Sequence, residues 1–297
     1  MKIAIAGKGG TGKTFITAGL ARIFSETSGA ARIYSNYAGS NAGHAAARIY
    51  SNDVGSDAGH AAARIYSNNA GSDAGHAAAR VYALDADPAG GLGAALGLSP
   101  KAVGETKPIA DMGSFIRTGE EDGALYLSSL DAGDPAGQYS TQINNVNFLR
   151  LAGLKRAGAG GYEREFAFLH ALINSMTIEP SDIMLLDMCA GVEPLTRGAV
   201  KGADALLIVA EATRACIEVA RVIRTLGAGL GVRHIHIVAN KIKSEKEEVL
   251  IRANFTRGEL IGLVRMTDGA ADPRGLNKTN SDLKELANNI RSVCTSN

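Results

Sequence analysis

The segment MKIAIAGKGGTGKT, residues 1–14, restricts what this chain can become more than any other stretch. A short apolar run, Ile3 to Ala6, opens into a glycine-rich loop in which Gly7, Gly12, Lys13 and Thr14 fill the pattern G-x-x-x-x-G-K-[ST]. A helical pattern carrying Phe15, Ile16, Leu20 and Ile23 follows. Strand, loop and helix in this order form a phosphate cradle. Gly9, Gly10 and Gly12 have no side chains to block an anion, so backbone N–H groups can turn toward it at the helix N-terminus. Lys13 is expected to reach the β- and γ-phosphates of a nucleotide and Thr14 to ligate Mg²⁺, with Thr11 and Phe15 completing the binding loop.

Beyond the first helix, expected to end near Ser28 and Gly29, residues 31–78 are three near-copies of a 16-residue unit, and a fourth copy begins at Ala79. Arg32-Ile33-Tyr34 returns as Arg48-Ile49-Tyr50, as Arg64-Ile65-Tyr66 and, altered, as Arg80-Val81-Tyr82. Units so short and so poor in large apolar residues bury little, so a surface insertion in one domain spanning 1–297 is expected. His44, His60 and His76 recur with the unit, but their spacing fits no ligand pattern, and copying with their surroundings explains them.

The apolar run Val81 to Leu84 predicts a buried strand ending in Asp85-Ala86-Asp87-Pro88. Two carboxylates at the carboxyl end of a strand, ahead of a helix beginning near Gly91, are placed to handle Mg²⁺ and its waters. Ile183 to Leu186 is a second such run, closed by Asp187, whose carboxylate would hold Mg²⁺ through water; Met188 to Glu193 then has the small residues of a switch loop. Further strands are expected at Phe148–Leu154, Ala205–Ala210, His234–Ala239 and Leu260–Val264. Helices are expected around 110–116 and over 163–176, 213–226 and 281–293. A Gly-rich turn is read at 157–161. In the helix at 163–176, His170 reads as packed rather than catalytic. The last helix, with Leu283, Leu286, Ala287 and Ile290 on one face, is expected to dock on the domain; its polar face is only weakly basic and lacks bulky aromatics, unlike a membrane-targeting helix.

The sum is a doubly wound, mainly parallel α/β sheet of the P-loop NTPase type with a repeat-containing surface insertion. At 297 residues and 45% hydrophobic, the chain can bury a sizeable core. Its net charge of +1 speaks against a nucleic-acid surface, and it has no apolar run of about eighteen residues. The N-terminus enters the phosphate loop directly, so a cytoplasmic protein is expected. Cys189, Cys216 and Cys294 are too few and too scattered for a disulfide framework.

Asn240-Lys241 resembles the base-recognition element of P-loop proteins. Guanine readers carry Asp two residues after the lysine, where this chain has Lys243. Adenine is therefore favoured, with Asn240 able to donate and accept on its edge.

The second lysine of GKGGTGKT, Lys8, resembles the deviant Walker A of the dimeric ATPases that include the Min and Par proteins and nitrogenase iron protein. That resemblance implies that Lys8 reaches a partner's nucleotide; from the sequence alone, a contact within one subunit or a solvated lysine serves equally. Asp187, Met188, Gly191, Glu193, Leu195, Arg197, Gly198, Glu211, Thr213 and Arg214 narrow it further. With Lys107-Pro108-Ile109 and the segment around Asp85, they resemble the accessory ATPase family that matures the nickel site of carbon monoxide dehydrogenase. The resemblance implies an ATP- and Mg²⁺-dependent homodimeric switch that hydrolyses ATP and assists a client metalloenzyme. It assigns Asp87 to the attacking water, Asp85 to Mg²⁺ through water, and Lys8 and Lys13 to phosphate charge. The chain departs from the family in two places. The C-x-C of the metal-binding members would fall at about Gly161 and Glu163, and Cys189 stands where a glutamate is usual. A soft thiolate site for nickel or zinc across a dimer is therefore not expected. The rival readings are a positioning or partitioning ATPase acting on membrane or DNA, and a non-hydrolysing adaptor.

Overall fold

In a computed structural model, residues 1–38, 79–111, 116–118, 125–127, 139–153, 162–175, 178–266 and 281–295 are described. They divide into two units, Met1–Ser25 with Arg80–Asn297, and Glu26–Ala79. The first unit holds a sheet of eight strands ordered β10-β9-β8-β1-β7-β2-β6-β5. These are β1 (Lys2–Gly7), β2 (Val81–Ala86), β5 (Thr141–Ile143), β6 (Val146–Arg150), β7 (Ile183–Met188), β8 (Ala205–Ala210), β9 (His234–Ile242) and β10 (Leu260–Arg265). Every pairing is parallel except β5 with β6, a hairpin turned by Asn144 and Asn145 at positive φ. A separate antiparallel pair joins β3 (Ile116–Thr118) and β4 (Leu125–Leu127).

Alternation along the strands builds two cores, one on each face. Ile3 and Ile5 of β1 pack with Ile16, Leu20 and Phe24 of α1 (Lys13–Ala38), with Leu92 and Leu96 of α2 (Leu92–Leu96), and with the last helix. Ala4 and Ala6 lie on the other face with Phe166 and Leu169 of α4 (Glu163–Ser175). Leu195 of α5 (Glu193–Thr196), Ile217 and Ile223 of α6 (Arg214–Gly229) and Ile251 of α7 (Glu245–Asn254) join them. The remaining α-helices among the described residues are α3 (Pro100–Glu105) and α8 (Ser281–Thr295).

Helix α8 is docked, as its apolar pattern predicts. Leu283, Leu286, Ala287 and Ile290 are all buried. A Cβ on Gly19 would lie 2.7 Å from Leu283, and one on Gly262 2.7 Å from Leu286, so two glycines make the notches that receive the helix. Polar side chains of α8 also close the border of the sheet. Asp282 accepts the Arg265 N–H at 2.8 Å, and Asn289 donates to the Ile261 carbonyl at 2.8 Å.

Some boundaries differ from expectation. Helix α1 runs to Ala38, ten residues past Ser28. Glycine in a helix costs only about 1 kcal/mol relative to alanine, and Ala30, Ala31 and Arg32 resume a favourable sequence. The helix expected around 110–116 is instead a 3-10 turn, Ile109–Asp111, and β-branched Ile116 and Thr118 belong to β3. Strand β6 starts two residues early, driven by the Asn144–Asn145 turn, and ends at Arg150. The repeats beyond Ala38, with His44, His60 and His76, and the turn read at 157–161 lie outside the described residues. No helix among the described residues is long and apolar enough to cross a membrane.

Candidate functional site

The carboxyl ends of β1, β2 and β7 lie side by side, and the predicted residues meet there. Gly7, Gly10 and Gly12 have φ of 153°, 84° and 89°, a range that favours glycine. A Cβ on Gly7 would sit 2.4 Å from the Val209 carbonyl, so β8 permits only glycine there. Thr11 Oγ1 donates to the Lys8 carbonyl at 2.9 Å, fixing the turn. Lys13 is buried beneath the loop and its Nζ approaches the same carbonyl at 3.4 Å. Burial pulls the Lys13 pKa down, and Asp187 and Asp87 oppose that pull. Phe15, in the first turn of α1, packs its half-buried ring against the core.

Thr14 Oγ1 donates to Asp187 Oδ2 at 2.7 Å. Parallel register sets Asp85 beside Asp187 and Arg150 beside Asp85. Both aspartates are nearly inaccessible. Burial pushes Asp187 up to about 7 and Asp85 up to about 6, each raised further by an acidic neighbour. Two buried carboxylates and a hydroxyl are hard oxygen donors that lack a full counter-charge, the set that suits Mg²⁺. Asp85 is already engaged, with Oδ1 accepting the Asp87 N–H at 3.2 Å and Oδ2 the Leu92 N–H at 3.0 Å. Asp87 is half-buried on the following loop, where its Oδ1 accepts the Ala89 N–H at 2.9 Å. Lys8, Gly9 and Gly10 form the exposed tip of the cradle.

Asn240 and Lys241 brace this loop with their amino groups. Buried Asn240 donates from Nδ2 to the Thr11 carbonyl at 2.8 Å, and Lys241 Nζ donates to the Gly10 carbonyl at 2.5 Å. With those carbonyls turned away, the loop's N–H groups are left for an anion. The Asn240 amide N–H expected to donate to adenine is thus engaged by the loop itself.

Three contacts of the site were not read from the sequence. Thr17, three residues after Thr14 on the same helix face, donates to Asp187 Oδ1 at 3.3 Å and to the Lys13 carbonyl at 2.9 Å. Its i, i+3 spacing was the available signal. Glu211, just past β8, accepts from Lys241 Nζ at 2.7 Å. The Gly191 N–H donates to the Gly7 carbonyl at 3.1 Å, so the segment after β7 is tied to the cradle, and no side-chain pattern announces a backbone bond.

Burial pushes the Cys189 thiol up to about 11, so it stays protonated at neutral pH. Glu163 is exposed and ion-paired with Arg197 at 3.1 Å, while Gly161 lies outside the described residues. Among the described residues, no group of three or more His, Cys, Asp or Glu is arranged to hold a metal by itself.

No family model matches the chain. It is 27% identical over 196 residues to the carbon monoxide dehydrogenase accessory protein CooC of Rhodospirillum rubrum, covering 64% of this chain and 74% of that protein. It is 24% identical over 255 residues to an uncharacterized ATP-binding protein of Methanocaldococcus jannaschii, covering 84% of this chain and 78% of that one. In fold it matches the septum site-determining protein MinD of Pyrococcus horikoshii, solved with Mg-ADP. The TM-score is 0.57 at 16% identity, across 99% of this chain and 97% of that one. The resemblance read from the sequence, to a CooC-type deviant Walker A protein of the Min and Par group, is borne out. The fold is that of the MinD-like P-loop proteins.

Proposed function

We propose that the chain is a homodimeric ATPase that binds ATP with Mg²⁺ in the glycine loop. In this reading the hydrolytic cycle is a switch that assists maturation of a metal centre in a client enzyme, with carbon monoxide dehydrogenase as the type of client. The observation that carries it is the bond from the cradle hydroxyl of Thr14 to the strand-end carboxylate of Asp187. Thr14 and Asp187 would hold the cation, and Asp85 stands next to Asp187 in register with both of its oxygens engaged by backbone N–H groups. When bound, Mg²⁺ supplies the counter-charge that the β- and γ-phosphates and the two buried aspartates lack.

The protein's own groups do the rest by position and charge. Lys13, buried under the loop, meets the phosphates from below. Asp87, on the loop after β2, orients the water in line with the γ-phosphate. Lys8, at the exposed tip, suits a phosphate held by a second copy across a dimer. The bond from Gly191 to Gly7 joins segment 188–193 to the cradle, so loss of the γ-phosphate is felt in that segment.

Similarity to the CooC protein supports a maturation role. The missing C-x-C favours timing of a client over carriage of its metal. The buried apolar face of α8 and the net charge of +1 disfavour membrane and nucleic acid as partners, so a cytoplasmic enzyme is proposed.

Lys13→Ala should abolish nucleotide binding in a titration with a fluorescent ATP analogue. Asp87→Ala should retain ATP and accumulate as a dimer by size exclusion with light scattering. Wild-type turnover by Asp87→Ala would remove that residue from the mechanism, and purified protein that binds ATP without turnover would reduce the chain to an adaptor.

A further inference from the structure

We infer that Asp85 serves this site as a positioning residue, folding the loop that carries Asp87 rather than holding the cation. The inference rests on the proposed function only for what that loop does. Asp85 is 3% exposed, and its two oxygens reach in two directions along its own chain. Oδ1 takes the N–H of Asp87, two residues on, the bond of an Asx turn. Oδ2 takes the N–H of Leu92, the first residue of α2. One carboxylate therefore pins both ends of residues 86–91.

That connection has little else to define it. Gly90 and Gly91 sit at φ of 76° and 136°, which glycine enters without penalty and leaves as easily. Between Asp87 and Gly90 the bonds are short-range ones onto Asp87, from the Ala89 N–H to its carboxylate and from the Gly90 N–H to its carbonyl, while Ala86 still belongs to β2 and the Gly91 carbonyl accepts the Ala95 N–H at 3.0 Å as α2 begins. The Asp85 carboxylate thus fixes the ends, and Asp87 organises the middle.

Asp187 makes the contrast. It stands beside Asp85 in the same register, yet its oxygens accept from the hydroxyls of Thr14 and Thr17, on the helix that follows the phosphate loop. One aspartate faces the phosphate side and the other faces its own loop. An Asx turn needs only the backbone N–H two residues on, which Asp87 supplies, so Asp85 has a conformational role independent of metal. Asparagine is a poor substitute, because its amide nitrogen would face one of the two N–H donors.

The test compares Asp85→Asn and Asp85→Ala with wild type by amide hydrogen exchange, without nucleotide or metal. Exchange at the amides of Asp87 and Leu92 should accelerate about tenfold or more when their acceptor is lost. A parallel Mg²⁺ titration, followed by binding of a fluorescent ADP analogue, should give Asp85→Asn a midpoint within about twofold of wild type and shift that of Asp187→Asn by about tenfold or more. The kcat of Asp85→Asn should fall with little change in KM for ATP. Unchanged exchange in 86–92, or a Mg²⁺ midpoint displaced as far as in Asp187→Asn, would overturn the inference. Should Asp85→Ala fail to fold, the near-isosteric Asn variant carries the comparison. Wild-type protein that binds no nucleotide would defeat the proposed function while leaving the exchange result to decide the role of Asp85.

Discussion

Thr14 and Asp187, 173 positions apart in the chain, share a 2.7 Å hydrogen bond in which the hydroxyl donates and the carboxylate accepts. The bond closes the glycine cradle onto the neighbouring strand end. Asp187→Asn keeps the shape and removes the charge, so it should lower Mg²⁺-dependent ATP turnover about a hundredfold, the scale of losing one preorganised electrostatic group. Thr14→Ala should fall in the same direction, and a steady-state phosphate-release assay across Mg²⁺ concentrations measures both.

The brace under the loop gives a second expectation. Lys241 Nζ is shared between the Gly10 carbonyl and Glu211 Oε1, and it restrains the segment whose N–H groups would meet phosphate. Lys241→Met should weaken ATP binding about tenfold without unfolding the domain, on the scale of one charge-assisted hydrogen bond. Glu211→Gln should have a smaller effect in the same direction. Titration calorimetry with ADP and a thermal melt separate loss of binding from loss of fold.

Stability without ligand should depend on pH in a definite sense. Asp187 and Asp85 are raised to about 7 and about 6 in the folded state, above the ordinary carboxylate value near 4. Across that interval the folded state holds protons that the unfolded state has released. Their contribution is therefore fully present below pH about 4 and lost as pH rises through about 7. The metal-free protein should melt about 5 °C higher at pH 5.5 than at pH 8, and Asp187→Asn should flatten much of that slope. A melting temperature that climbs over the same range would contradict the assignment. Adding Mg²⁺ and ADP at pH 8 should restore what was lost, because ligand that binds only the folded state stabilises it.

Deleting residues 31–78, the repeats together with the end of α1, should leave ATP turnover within about twofold of wild type, since the cradle and the strand ends it meets lie outside the deletion and closure entropy changes only slowly with length. An inactive or unfolded deletion product would instead show that the repeats contribute to the fold. Circular dichroism and the phosphate-release assay together distinguish the outcomes.

The fold was largely legible because its strands are short apolar runs ending in charged or glycine residues. Ile3–Ala6, Ile183–Leu186 and Ala205–Ala210 could be read directly, since parallel strands buried on both faces leave no polar alternation to misjudge. The residues of the cradle were legible for a related reason, as glycine, lysine and threonine at fixed spacing have few alternative uses. What escaped the sequence was mostly relational. That Asn240 and Lys241 spend their amino groups on the carbonyls of Thr11 and Gly10 depends on β9 ending beside the loop, which no local pattern encodes. The end of α1 was misjudged because Ser28-Gly29 resembles a stop, whereas the alanines and arginine beyond it sustain the helix.

The border strand β10 offers its outward backbone to Asp282 and Asn289 of α8. A strand added on that side would have to displace both side chains, which disfavours strand-to-strand growth, the usual route to runaway association. The proposed pairing of two subunits would instead use the strand tips, where Lys8 and Asp87 stand and where a contact between copies would also enclose what they hold.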